Sequence, residues 1–131
     1  MTARERIAAA DPSQVHTLDP QKAARFNGRS MLIPSPRDVC AAIEQIPFGQ
    51  SRTIAQLRAD LALAAGADVT CPRAATVCWL MAAEAAEMDR ADGVTPVTPW
   101  WRVTKDAKLY AKLPGGQERH RELRLEEGIA D

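Results

Sequence analysis

Helix stops constrain this chain more than any other feature. Between residues 35 and 93, capping residues, prolines and glycines recur at short intervals, which leaves room for three helices and short linkers. Ser35-Pro36-Arg37-Asp38 supplies an N-cap, a proline suited to a first turn and an acid three residues on. Val39, Ala42, Ile43 and Ile46 then recur with helical spacing until Pro47 ends the pattern. Thr53 and Gln56 have capping-box spacing, and Ile54, Leu57 and Leu61 set one apolar stripe that stops near Gly66. A third helix starts at Pro72; its spacing predicts Val77, Leu80, Met81, Ala85 and Met88 as the buried face, before Asp92-Gly93 stops it.

The pattern changes from Val94 to Leu113. Two prolines, the β-favouring Val97, Trp100, Trp101 and Val103, and a polar turn at Lys105-Asp106 predict a small hairpin or wing. Gly115-Gly116 leads into a last helix over residues 117 to 126, with Leu123 and Leu125 apolar and Gly128 as its exit. Residues 1 to 30 show no sustained period and carry Pro12, Pro20, Asn27 and Gly28, as expected of an N-terminal arm that wraps the domain or stays mobile. The expected organisation is therefore an arm over 1–30 and one domain over 31–131. Its expected class is α+β, mainly helical, in a winged helix-turn-helix-like layout with a β-hairpin wing.

A length of 131 residues suits one domain, and 46% hydrophobic with 26% charged residues is the balance of a globular chain. Net charge is zero, which argues against indiscriminate polyanion binding but leaves room for a basic face. No apolar run approaches the roughly 18 residues that span a bilayer, so no membrane association and a cytoplasmic location are expected. Cys40, Cys71 and Cys78 are an odd number without C-x-x-C spacing, which supports neither a disulfide framework nor a zinc site. His16 and His120 read as surface histidines, and neither metal nor cofactor is implied. Without a heptad seam or a self-pairing strand, a monomer is expected.

Two stretches carry chemistry. In "CPRAATVCW", Ala74 and Ala75 leave a thin face through which a helix can approach a groove, with Arg73 and Thr76 available to phosphates. Alanine is also the best helix former, so the same run reads equally as propensity. In "TPWWRV", two adjacent tryptophans are either core anchors or the wall of a binding site. Arg52, Arg73, Arg102 and Lys105 are candidates for one basic face, whereas the charges from Glu118 to Glu127 alternate in sign as on a solvated helix.

The stretches "IPFGQSRTIAQL", "CPRAATV", "PWWRV" and "LPGGQERHRELRLEEG" resemble, in order and spacing, the C-terminal DNA-binding domain of the O6-alkylguanine-DNA alkyltransferases, over about residues 36 to 128. In those enzymes the motif Pro-Cys-His-Arg-Val holds the cysteine that accepts the alkyl group. Here Trp100 falls on the cysteine and Trp101 on its partner histidine, leaving only Glu127 of the hydrogen-bonded set. An indole cannot act as a thiolate, so the chain is expected not to be an enzyme. Tryptophan at the cysteine position also marks the alkyltransferase-like proteins, which bind alkylated guanine in DNA without repairing it. The resemblance implies contacts with double-stranded DNA through Thr53, Ile54, Arg73, Ala74, Ala75, Thr76 and Arg102. It implies a lesion pocket of Trp100, Trp101, Val103, Leu113, Pro114 and Gly115, and hand-over to nucleotide-excision-repair proteins.

Several positions depart from the family pattern. Ile54 stands where the family has a nucleotide-rotating tyrosine, Thr76 where an arginine fills the gap in the base stack, and Asp92 where a hinge asparagine lies. Leu113 and Pro114 replace a tyrosine and a serine at the rim, and the third helix is several residues longer. Three readings follow: a non-enzymatic sensor of alkylated bases, a general DNA-binding module, and an interaction domain whose pocket has closed. The paired tryptophans favour the first, Ile54 and Thr76 the second, and zero net charge the third.

Overall fold

A computed structural model describes residues 1 to 129; the last two positions of the expected 31–131 domain lie outside the described residues. The fold is α+β and mainly helical, with the three anticipated helices at its centre. They are α3 (Pro36–Glu44), α4 (Ile54–Ala65) and α5 (Pro72–Ala91). Ser35 caps α3 by accepting from the Asp38 amide, and Thr53 and Gln56 close a full capping box on α4. Gly66 ends α4 in the left-handed region, at φ 71°. Val39, Ile43, Leu57 and Ile54 are buried where these helices meet, because each lies on the stripe set by its helical period.

The buried face of α5 differs from the expected one. Ala75, Cys78, Trp79, Ala82, Ala83, Ala85 and Ala86 face the core, so that of the expected face Ala85 is buried, whereas Val77 is exposed and Leu80, Met81 and Met88 are half-buried. Small residues let α5 approach α3 closely, and Trp79 fills the remaining space with a single large ring. The alanines have the right period as well, so hydrophobicity alone selected the wrong stripe.

Residues 1 to 30 are built into the fold rather than free of period. They form α1 (Ala3–Ala9), β1 (Gln14–Thr17) and α2 (Pro20–Phe26), and then run into β2 (Ser30–Ile33). β1 pairs antiparallel with β2, and β2 pairs parallel with β4 (Val69–Thr70), giving sheet order β1-β2-β4. α1 packs on α5 and α3. Arg37 donates to the carbonyls of Ile7, Ala8 and Ala10 and so caps the end of α1. Both helices are too short for periodicity to reveal them, and the local signals are confined to their ends: the caps Thr2 and Asp19, with Pro20 and Asn27 bounding α2.

The wing is the second correction. Val94 to Leu113 does not form a β-hairpin. It forms a 3-10 turn at Trp100–Arg102, the short β5 (Val103–Thr104), and the helix α6 (Ala107–Tyr110). β5 pairs parallel with β3 (Arg52–Thr53), matching Arg52 to Val103 and Thr53 to Thr104. A parallel partner far away in sequence takes the place of the hairpin strand, and local turn chemistry cannot announce it. The last helix among the described residues is α7 (Gly116–Glu126). Gly115, at φ 78°, leads into it where an added Cβ would lie 2.5 Å from the Arg119 side chain. No helix among the described residues is long and apolar enough to cross a membrane.

Candidate nucleic-acid interface

The residues expected to form a lesion pocket do not leave one open at Trp100. Trp100 and Val103 are wholly inaccessible, and Trp101 and Leu113 are buried; Pro114 is half-buried and Gly115 exposed. The Trp79 indole donates to the Trp100 carbonyl at 2.9 Å and anchors the 3-10 turn to α5. Around Trp100 stand Trp101, edge-on with ring centres 6.1 Å apart, and the His120 ring at 6.0 Å. Tyr110 stacks on His120 at 4.4 Å and takes a hydrogen bond from the Lys105 amide. A base cannot reach the face of Trp100 in this arrangement. Its Nε1 is buried and has no hydrogen-bond partner among the described residues.

His120 is therefore no surface histidine: it is buried, with Nε2 2.9 Å from the Val103 carbonyl oxygen. His16 is exposed, as expected. α7 is likewise less solvated than its alternating charges suggested. Leu125 is exposed, while Arg124 is buried and donates to the Trp101 carbonyl.

Glu127 links three elements. Its carboxylate accepts from the Trp101 indole at 2.9 Å, from Arg102 at 2.7 Å and from the Gly49 amide at 3.1 Å. Burial alone would favour the neutral acid, but the bonds from Arg102, Gly49 and Trp101 outweigh it and hold the carboxyl below its ordinary range. Arg102 also donates to the Ile46 carbonyl, and its side chain is only 13% exposed. Expected as a DNA contact, Arg102 is instead an internal clamp between the tryptophan motif and the end of α3. Arg52 is occupied too, since it pairs with Asp60 at 2.7 Å.

Of the remaining expected contacts, Ala75 is wholly buried and cannot face a groove, and Ala74 is half-buried. Arg73 is exposed on the first turn of α5. Thr53 is exposed, but its hydroxyl is committed to the cap of α4. Ile54 is buried beneath an open depression of about 440 Å³ lined by Thr53, Ile54, Ala55, Arg58, Thr104, Lys105 and Asp106. Lys105 reaches from this depression to the Thr76 hydroxyl, 3.4 Å away, and so joins it to the start of α5. The structure thus brings Thr53, Ile54, Thr76, Arg58 and Lys105 together, with Arg73 at the start of the same helix. It separates Trp100, Val103 and Arg102 from them by burial. Arg58 was missed in the sequence; it lies one turn after Ile54 on α4 and is half-buried.

A larger depression, about 750 Å³, is bounded by Phe48, Trp101, Arg102, Glu44, Glu126 and Glu127 among others. It shares no residue with the first, and its three carboxylates make it a poor seat for a polyanion. Burial pushes Cys40 and Cys78 up to about 11, Cys40 with help from Glu44, so both are neutral thiols near pH 7. Among the described residues no group of three or more His, Cys, Asp or Glu is placed to hold a metal ion. Comparison of the chain with protein-family models, with curated proteins and with solved structures finds no match.

Proposed function

We propose that this chain is a monomeric, non-enzymatic protein that binds double-stranded DNA, recognises alkylated bases of the O6-alkylguanine kind and passes them to excision-repair proteins. The observation that carries the DNA-binding part is the depression beside the first turn of α5. Arg58 and Lys105 line it, Arg73 is exposed on the first turn of the helix whose Thr76 Lys105 reaches, and none of the three is ion-paired among the described residues. Three unneutralised cations beside an exposed helix start suit phosphates on either side of a groove. The bond from Trp101 to Glu127 supports the resemblance, since it joins the two positions where the family has its histidine and glutamate.

The burial of Trp100 favours a second reading, a duplex-binding module without lesion preference, because no tryptophan face is open to an extruded base. The two are separated by titrating labelled duplexes that are identical except for one O6-methylguanine, followed by fluorescence anisotropy and intact-protein mass. The sensor reading expects tighter binding to the modified duplex and an unchanged protein mass. Equal affinities select the general module, and an added methyl mass would overturn the non-enzymatic reading.

A further inference from the structure

The zero net charge conceals an uneven pairing of charges. Arg4, Arg52, Arg90, Arg102 and Arg119 are each bound to carboxylates, chiefly around the end of α5 and along α7. By contrast, Lys22, Arg25, Arg29, Arg58 and Arg73 have no carboxylate within ion-pair distance among the described residues. Three of these five belong to α2 and the turn after it, outside the span that resembles the alkyltransferases. The two acids of that region are engaged by backbone amides: Asp19 accepts from Lys22, and Asp68 from Arg29 and Ser30.

This basic segment is held beside the start of α5. Asn27 ends α2 in the left-handed conformation, and an added Cβ on Gly28 would stand 3.0 Å from Asp68 and 3.1 Å from Val69. Phe26 shares an open depression of about 560 Å³ with Arg58 and Pro72, and the Arg25 guanidinium lies 5.1 Å over the Phe26 ring. Arg58 lines both this depression and the one beside Thr53 and Lys105. Arg25 over Phe26, Arg58 beside both depressions and Lys105 thus follow one another from α2 towards the start of α5, with the Asp68 carboxylate bordering the first depression and Asp106 the second.

From this continuity we infer that α2 and the turn after it form a second arm of the DNA footprint, in which Lys22, Arg25 and Arg29 contact phosphates flanking the segment met by α5. The inference rests on the DNA-binding reading. Each phosphate contact contributes about 0.9 to the slope of log K against log salt. Three contacts make the ratio of affinities between about 50 and 200 mM salt roughly 40-fold larger.

The test compares the wild type with the triple variant Lys22→Ala, Arg25→Ala, Arg29→Ala on an undamaged labelled duplex across that salt range. The variant Arg73→Ala and a control in which the exposed Arg6 and Arg121 become alanine are run in parallel, with circular-dichroism melts to establish that all are folded. The triple variant is expected to bind more weakly at low salt and to lose two to three units of slope, while the control keeps the wild-type slope. A triple variant with wild-type affinity and slope, beside a weakened Arg73→Ala, overturns the second arm and leaves DNA binding intact. An equal loss in the control reduces the effect to net charge and also overturns it. If the wild type binds no duplex, both the arm and the DNA-binding reading fall.

Discussion

Trp100 shows how one residue type serves opposite ends. A tryptophan in place of a nucleophile suggests a flat surface for a base, yet here the ring lies between Trp101, His120 and the anchoring bond from Trp79. Trp100→Ala should therefore reduce folding stability by about 3–5 kcal/mol, the scale of a large cavity in a packed core. Trp100→Phe should cost much less, because it keeps a ring and removes the unpartnered N–H. Urea unfolding measures both; a stable Trp100→Ala variant that had lost only lesion preference would return the ring to the binding surface. Glu127 poses the converse case, an acid on a charged helix that is structural. Its carboxyl ionises more readily when folded, so its stabilisation is present above the ordinary value of 4.5 and is lost as pH falls through the lower folded-state value. Glu127→Gln should remove about 3 kcal/mol at neutral pH, by leaving Arg102 buried without its partner, and should flatten this part of the acid unfolding profile. Parallel wild-type and variant profiles would dismiss the clamp.

At the level of elements, caps and stops marked α3, α4 and α5 because each signal acts within a turn of the residue that carries it. α1 needed tertiary support. Seven residues make a helix that is marginal alone, and it holds through the ion pairs of Arg4 with Asp89 and Asp92, the buried Ala3 and the bonds from Arg37. Deleting residues 1 to 11 should then lower Tm by on the order of 10 °C, corresponding to a few kcal/mol for a domain of this size. An unchanged Tm in a thermal melt would make α1 a dispensable attachment. The missing hairpin has the same origin as the missed helix: β5 takes its partner from β3, some fifty residues earlier in the chain.

For the molecule as a whole, equal numbers of acids and bases say little until they are placed. Many of the paired charges lie near the end of α5 and on α7, while Arg58 borders both depressions and Lys105 one of them without an ion-pair partner among the described residues. On the proposed DNA-binding reading, the attraction to a polyanion should fade with salt as the Debye length shrinks. That is the feature the salt titrations read.

By itself the sequence determined the α+β class and the three central helices. Both follow from residue type and short-range spacing. Only the tertiary structure decided that the tryptophan motif is core, that His120 and Arg124 are buried and that Arg102 belongs to Glu127. It also decided that the end of α2 lies near the start of α5, with Phe26 and Pro72 bordering one depression. The physical reason is common to these: burial and charge pairing depend on which distant surfaces meet, and β2 with β4, β3 with β5 and Phe26 with Pro72 are meetings that no local pattern records.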